Sequence, residues 1–199
     1  VTEIEEVSLI GTMVDRRRAE PHDHLRQVYE TLILAAEGRV RSELADTPRR
    51  ADKAWRELTC GYGKLPAMTT FSAAKIDQII TVKDIPFFST CEHHLLPFYG
   101  YAEIAILPGE YVLGLSKYAR IVEHFSRRIQ MQERMGEEIA DCIEETIRPV
   151  GLLVITRASH LCLMMRGAQK VGARATMSVA RGRFREQPGA KAEAMEILR

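Results

Sequence analysis

The chain is short of cysteine and histidine, has no long apolar run and carries almost no net charge. Its four cysteines, Cys60, Cys91, Cys142 and Cys162, lie far apart in 199 residues. That spacing argues against the disulfide framework of small secreted domains and points to a reducing, cytoplasmic setting. Lys and Arg number 28 against 27 Asp and Glu, a net charge of +1 that gives no general ground for a nucleic-acid or membrane partner. Any basic site must be local. No stretch approaches the ~20 apolar residues that span a bilayer, and the opening VTEIEEVSLIGTMVDRRR lacks the basic-then-apolar order of a signal peptide. A soluble protein is expected, without internal repeats or low-complexity linkers.

What is present, 46% apolar and 28% charged residues, suits one globular domain with an appended helical segment. Residues 1–20 mix charge and short apolar pieces without period and are read as an arm, disordered or ordered only by a partner subunit. Residues 21–64 form a helical segment and residues 65–199 the main domain. Leu25, Val28, Tyr29, Leu32, Ile33 and Ala36 fall on one helical face that Gly38 ends. A second helix is predicted from Thr47 as N-cap and Pro48 as first helical residue, with Ala51, Ala54, Trp55 and Leu58 as its stripe.

Strands are predicted in IDQIITVKDIPFFST and in YGYAEIAILPGEYVLGL, the latter a hairpin turning at Pro108-Gly109. Helical period then runs through Met135, Ile139, Cys142, Ile143 and Ile147, in two helices parted around 126–132. LLVITRAS and HLCLMMRG are read as strands and AKAEAMEILR as a short closing helix. Helices around a mainly antiparallel sheet make the fold class α+β.

The chemistry concentrates in STCEHHLLPFYG, residues 89–100, at a connection between strands. Thiolate and neutral imidazole are preferred zinc ligands, and a C-x-x-H bend brings Cys91 and His94 toward one ion. In SHLCL, His160 and Cys162 are two apart, so on a strand they share a face and Cys162 supplies a third ligand. Three protein ligands with a fourth position open is the pattern of a catalytic zinc site. Buried cysteines as small hydrophobes are the bland alternative, accepted for Cys60 and Cys142. A Cys91–Cys162 redox pair is the rival. His93 and His160 remain beside the metal, and imidazole is the side chain whose unperturbed pKa near neutrality suits proton transfer.

Lys117 and Arg120, i and i+3 at a helix start that Ser116 could cap, fit a phosphate chain or a solvated basic face. Gln132 and Glu133 open the long helix, where dipole and capping favour them. A guanine edge, with adjacent N–H donors, would also suit a carboxylate. Arg50 and Arg166 have the planar fork that grips phosphate, although position alone does not decide.

Taken together, STCEHHLLPFYG, GLSKYARIVEHFSRRIQMQERM and SHLCLMMRGAQK, in that order, with DTPRRADKAW and GY upstream, closely resemble GTP cyclohydrolase I over roughly residues 25 to 186. The resemblance implies hydrolysis of GTP at purine C8, release of formate and rearrangement to 7,8-dihydroneopterin triphosphate, the first step of folate or tetrahydrobiopterin synthesis. It puts zinc on Cys91, His94 and Cys162, catalysis on His93 and His160, and guanine on Gln132 and Glu133. Lys117, Arg120 and Arg166 match triphosphate contacts, Ser116 joins them as a substrate-binding residue, and Arg50 matches a contact from a neighbouring subunit.

The implied fold is the tunnelling fold, a four-stranded antiparallel sheet with two long helices, here over 65–199. The implied assembly is a homodecamer of two pentamers with sites between subunits. Arg181 and Arg183 fall where the family is usually apolar. Alternatives are a tunnelling-fold paralogue that takes another purine or stops at the ring-opened formamide, and a non-catalytic, zinc-containing nucleotide or pterin binder.

Overall fold

The computed structural model describes residues 21–73 and 76–199; the arm expected over 1–20 lies outside the described residues. The chain divides into two compact units between Arg56 and Glu57. Helix α1 (Pro21–Glu37) ends as its pattern predicts: Gly38 takes φ +73° and donates its N–H to the Leu34 carbonyl at 2.8 Å. Helix α2 (Thr47–Leu58) begins at Thr47 itself, so Thr47 lies in the first turn and does not precede it. Asp52, buried on α2, is paired by Arg56 at 2.6 Å and faces Arg26 at 3.7 Å.

From Glu57 onward the elements are β1 (Thr70–Ser72), β2 (Ile80–Cys91), β3 (Pro97–Leu107), β4 (Tyr111–Leu113), α3 (Leu115–Ser126), β5 (Ile129–Gln130) and α4 (Gln132–Ile147). There follow β6 (Gly151–His160), α5 (Leu161–Met164), β7 (Ala175–Gly182), α6 (Arg183–Glu186) and α7 (Pro188–Ile197). The principal sheet has five strands in the order β5-β2-β3-β6-β7. Four of them are antiparallel, and the two-residue β5 adds in parallel to the end of β2, so the sheet is not the simple four-stranded one expected. The α+β class stands.

The expected Pro108-Gly109 hairpin does not form. Both edges of β3 are already paired, by β2 and β6, so β4 has no place beside it and pairs instead with β1 in a separate two-stranded sheet. The expected strand HLCLMMRG is corrected as well: β6 stops at His160 and Cys162 lies in the single helical turn α5.

Helices α3 and α4 separate where their period breaks and lay Ile121, Val122, Met135, Ile139 and Ile143 on one sheet face against Ile104, Ile106 and Leu152. Each such side chain, fully buried, stabilises by roughly 1.5–3 kcal/mol. A smaller cluster on the other face joins Ala105, Leu153 and Ile155 to Phe184, Ala194 and Leu198 of the C-terminal segment.

Two arginines explain local features that composition hides. Arg128, after α3, donates through Nε to the carbonyls of Gly61 (2.9 Å) and His124 (3.1 Å), lies over the rings of Phe125 and Tyr62, and donates Nη2 to His124 Nε2 at 2.6 Å. Residues 60–62 are thereby joined to the α3–β5 turn. Arg181 on β7 meets Glu137, Asp141 (3.0 Å) and Glu144 (3.5 Å) along α4. Charge pairing with α4 thus occupies this position of β7.

Two outcomes are expected. At Gly100 a Cβ would collide with the Arg157 carbonyl on β6, so Gly100→Ala should lower unfolding free energy by about 2–3 kcal/mol in urea titrations. Burial, and then the charge of Arg128, hold the His124 imidazole below its usual range, with Glu138 opposing. A lowered folded-state pKa gives stability present above the unfolded value of about 6.5 and lost as pH falls through the folded one. Denaturation midpoints should therefore drop as pH falls through and below about 6.5, with a shallower drop in His124→Gln; an unchanged slope would contradict this.

Candidate active site

Strands β2 and β6 both run antiparallel to β3, so their C-terminal ends reach the same edge of the sheet. Cys91 is the last residue of β2. Its N–H donates to the Leu96 carbonyl at 2.8 Å, and its own carbonyl accepts from Leu95 at 2.8 Å and His94 at 3.4 Å. Leu95 takes φ +54°, the left-handed residue that closes this tight bend. The bend is held from the side: the Glu92 N–H donates to Gln130 of β5 at 3.1 Å, and the Glu92 carboxylate pairs with Arg134 of α4.

At the matching end of β6, on the other side of β3, the turn α5 carries Cys162. The ligand atoms of Cys91, His94 and Cys162 all lie within 4.8 Å of one another. Cys91 Sγ is 3.9 Å from His94 Nδ1, close to the roughly 3.6 Å that tetrahedral zinc imposes between a sulfur and a nitrogen ligand. His93 Nδ1 is also near Cys91 Sγ, at 3.8 Å, but among the described residues it is His94 that completes a group with both sulfurs.

The electrostatics suit a cation. Burial, and then the neighbouring Cys91, push the Cys162 thiol up, because two thiolates side by side repel until a positive ion lies between them. Desolvation, and then the charge of Arg166, lower the His94 imidazole and favour its neutral, ligating form. Two soft sulfurs and an imidazole match the preferences of zinc.

His160 does not join the metal group. Being the last residue of β6, its ring stacks on Phe98 of β3, 4.6 Å between centroids and 4° from parallel, and its Nε2 lies 2.8 Å from Gln132 Oε1. Burial lowers its pKa, and the charge of Glu133 opposes that. The shared strand face expected for His160 and Cys162 is replaced by a strand end followed by a helical turn, and the turn is what brings the sulfur back toward Cys91.

The remaining expected residues are placed as follows. Lys117 is half-buried and Arg120 exposed, one turn apart at the start of α3. Ser116 lies inside that turn, and Gly114 takes the N-cap position expected of it. Glu133 is exposed at the start of α4, whereas Gln132 beside it is 1% exposed, its amide bonded to Thr156, Ala175 and His160. Arg50 belongs to the first unit, exposed and 3.7 Å from Asp46. Sequence reasoning missed Phe98, Thr156 and Arg134; a phenylalanine and a threonine in strands carry no signal that separates core from site.

Comparison with known proteins bears on this geometry directly. The GTP cyclohydrolase I family model matches residues 25–199. A Deinococcus radiodurans protein named GTP cyclohydrolase 1 is 45% identical over 172 residues, 85% of this chain and 80% of that protein. Its namesakes in Bacteroides thetaiotaomicron and Thermobifida fusca are 43% and 40% identical, over 88% and 93% of this chain and 91% and 89% of theirs. With a match this long, and with Cys91, His94 and Cys162 gathered at one end of the sheet, the chain belongs to the GTP cyclohydrolase I family.

Proposed function

We propose that the protein is a zinc-dependent GTP cyclohydrolase I that hydrolyses GTP at C8, releases formate and forms 7,8-dihydroneopterin triphosphate. The observation that carries this reading is the convergence of Cys91, His94 and Cys162 within 4.8 Å in a chain of that family. Zinc held by these three residues supplies Lewis-acid activation of water.

The chain's own residues do the rest. His93, beside Cys91, and His160, stacked on Phe98, give and take the protons that the breaking C–N bonds require. Glu133, exposed next to Gln132, accepts the adjacent N–H groups of the guanine edge. Lys117, Arg120 and Arg166 meet the negative charge of the triphosphate near the N-terminus of α3, and Ser116 lies in the same turn. Arg50 is contributed by a neighbouring copy.

The same reading assigns the main domain to the tunnelling fold and the protein to a cytoplasmic homodecamer of two pentamers. Phe88, Tyr99 and Tyr101, exposed by 51%, 40% and 53% on β2 and β3, support burial against further copies. No helix among the described residues is long and apolar enough to cross a membrane.

Zinc-replete protein incubated with GTP should yield formate and a fluorescent pterin. Accumulation of the ring-opened formamide, or GTP binding without formate, would refute the assignment. His93→Ala and His160→Ala should keep zinc yet lose turnover by about 10²–10⁴-fold, while Cys162→Ser loses the metal. Equal zinc loss in all three would contradict these roles. Glu133→Gln should narrow the preference for GTP over inosine triphosphate before it weakens triphosphate binding; unchanged selectivity would remove Glu133 from base recognition.

A further inference from the structure

Helix α4 begins with a glutamine whose amide is bonded at both ends. Gln132 Nε2 lies 3.0 Å from the Thr156 carbonyl, 3.0 Å from Thr156 Oγ1 and 3.2 Å from the Ala175 carbonyl. Carbonyl oxygens only accept, so the end of the amide that faces β6 and β7 must be the NH₂ group. The amide oxygen is thereby turned to His160 Nε2 at 2.8 Å. That oxygen also only accepts, so Nε2 must carry a proton. The opposite tautomer would set two lone pairs against each other.

Two further contacts remove the remaining freedom. Phe98, fully buried, lies parallel to the imidazole and restricts its rotation. Thr156 and Ala175, on different strands, hold the amide from two directions. A glutamine that turned toward a ligand would give up its contacts with Thr156 and Ala175 and take its amide oxygen away from the imidazole N–H.

We infer that Gln132 is a positioning residue, not a base-recognition side chain: clamped by Thr156 and Ala175, it holds the His160 ring in one orientation with the hydrogen on Nε2 and leaves Nδ1 as the free ring nitrogen. The arrangement follows from the geometry; its part in turnover rests on the reaction proposed above, which gives His160 a proton to move.

Full-length, zinc-loaded enzyme labelled with ¹⁵N-histidine tests this. Long-range proton–nitrogen correlation, with His160 identified by its loss in His160→Ala, should show a protonated Nε2 and an unprotonated Nδ1. Gln132→Met should shift that signature toward a mixture of tautomers and lower kcat for formate release by roughly 10- to 100-fold, with KM for GTP changed by less than about threefold. Adding Gln132→Met to His160→Ala should slow the enzyme no further.

A raised KM with kcat preserved would return Gln132 to substrate recognition and overturn the inference. So would a protonated Nδ1 in the wild type, or additive losses in the double variant. Should Gln132→Met fail to fold, Thr156→Val, which removes only the hydroxyl, and the wild-type spectrum keep the test decisive. Thr156→Val should lower kcat in the same direction by less, and no change in tautomer or rate would count against the clamp. A wild type with the expected tautomer that releases no formate would refute the proposed reaction and leave the arrangement standing.

Discussion

The site depends on one constraint of sheet topology: β3 lies between two strands that both run against it. Because β2 and β6 share a direction, Cys91 at the end of one and Cys162 just past the end of the other are delivered to the same edge. The tight bend at His94 and Leu95 then adds an imidazole. Burial, and then the Cys91 thiol beside it, disfavour ionisation of Cys162.

Around that edge the supporting contacts are polar and specific. Arg134 pairs with Glu92 of the bend and donates to Gln130 at 2.7 Å, so the start of α4 and the bend after Cys91 hold each other. Gln132 extends the same helix start to β6 and β7 through Thr156 and Ala175. One helix N-terminus therefore sets the position of the ligand loop and of the imidazole of His160, and the apolar stripe from Met135 to Ile147 fixes that helix on the sheet. Packing supplies rigidity; the hydrogen bonds supply direction.

Much of this was legible in the residues, though not always for the right reason. The helical period of α1, the break between α3 and α4 and the stop at Gly38 follow from local rules, and the chain obeys them. Cys91, His94 and Cys162 were recognisable by donor chemistry, yet the strand geometry invoked for Cys162 was wrong, since a four-residue helical turn is too short to leave a period. The Pro108-Gly109 hairpin failed because strand partners are decided by distant segments: β6 occupies the edge of β3 that β4 would have used. The partners of the Gln132 side chain were hidden, because a polar residue at a helix start looks solvent-facing until β6 and β7 are seen to close over it.

The central claim is that Cys91, His94 and Cys162 together hold one zinc ion. X-ray absorption at the zinc edge of the loaded enzyme measures it most directly. The account predicts two sulfurs at about 2.3 Å and nitrogen or oxygen neighbours at about 2.0–2.1 Å, with one sulfur lost in Cys91→Ser or Cys162→Ser if any zinc is retained. A first shell without sulfur, or one unchanged by either substitution, would contradict it.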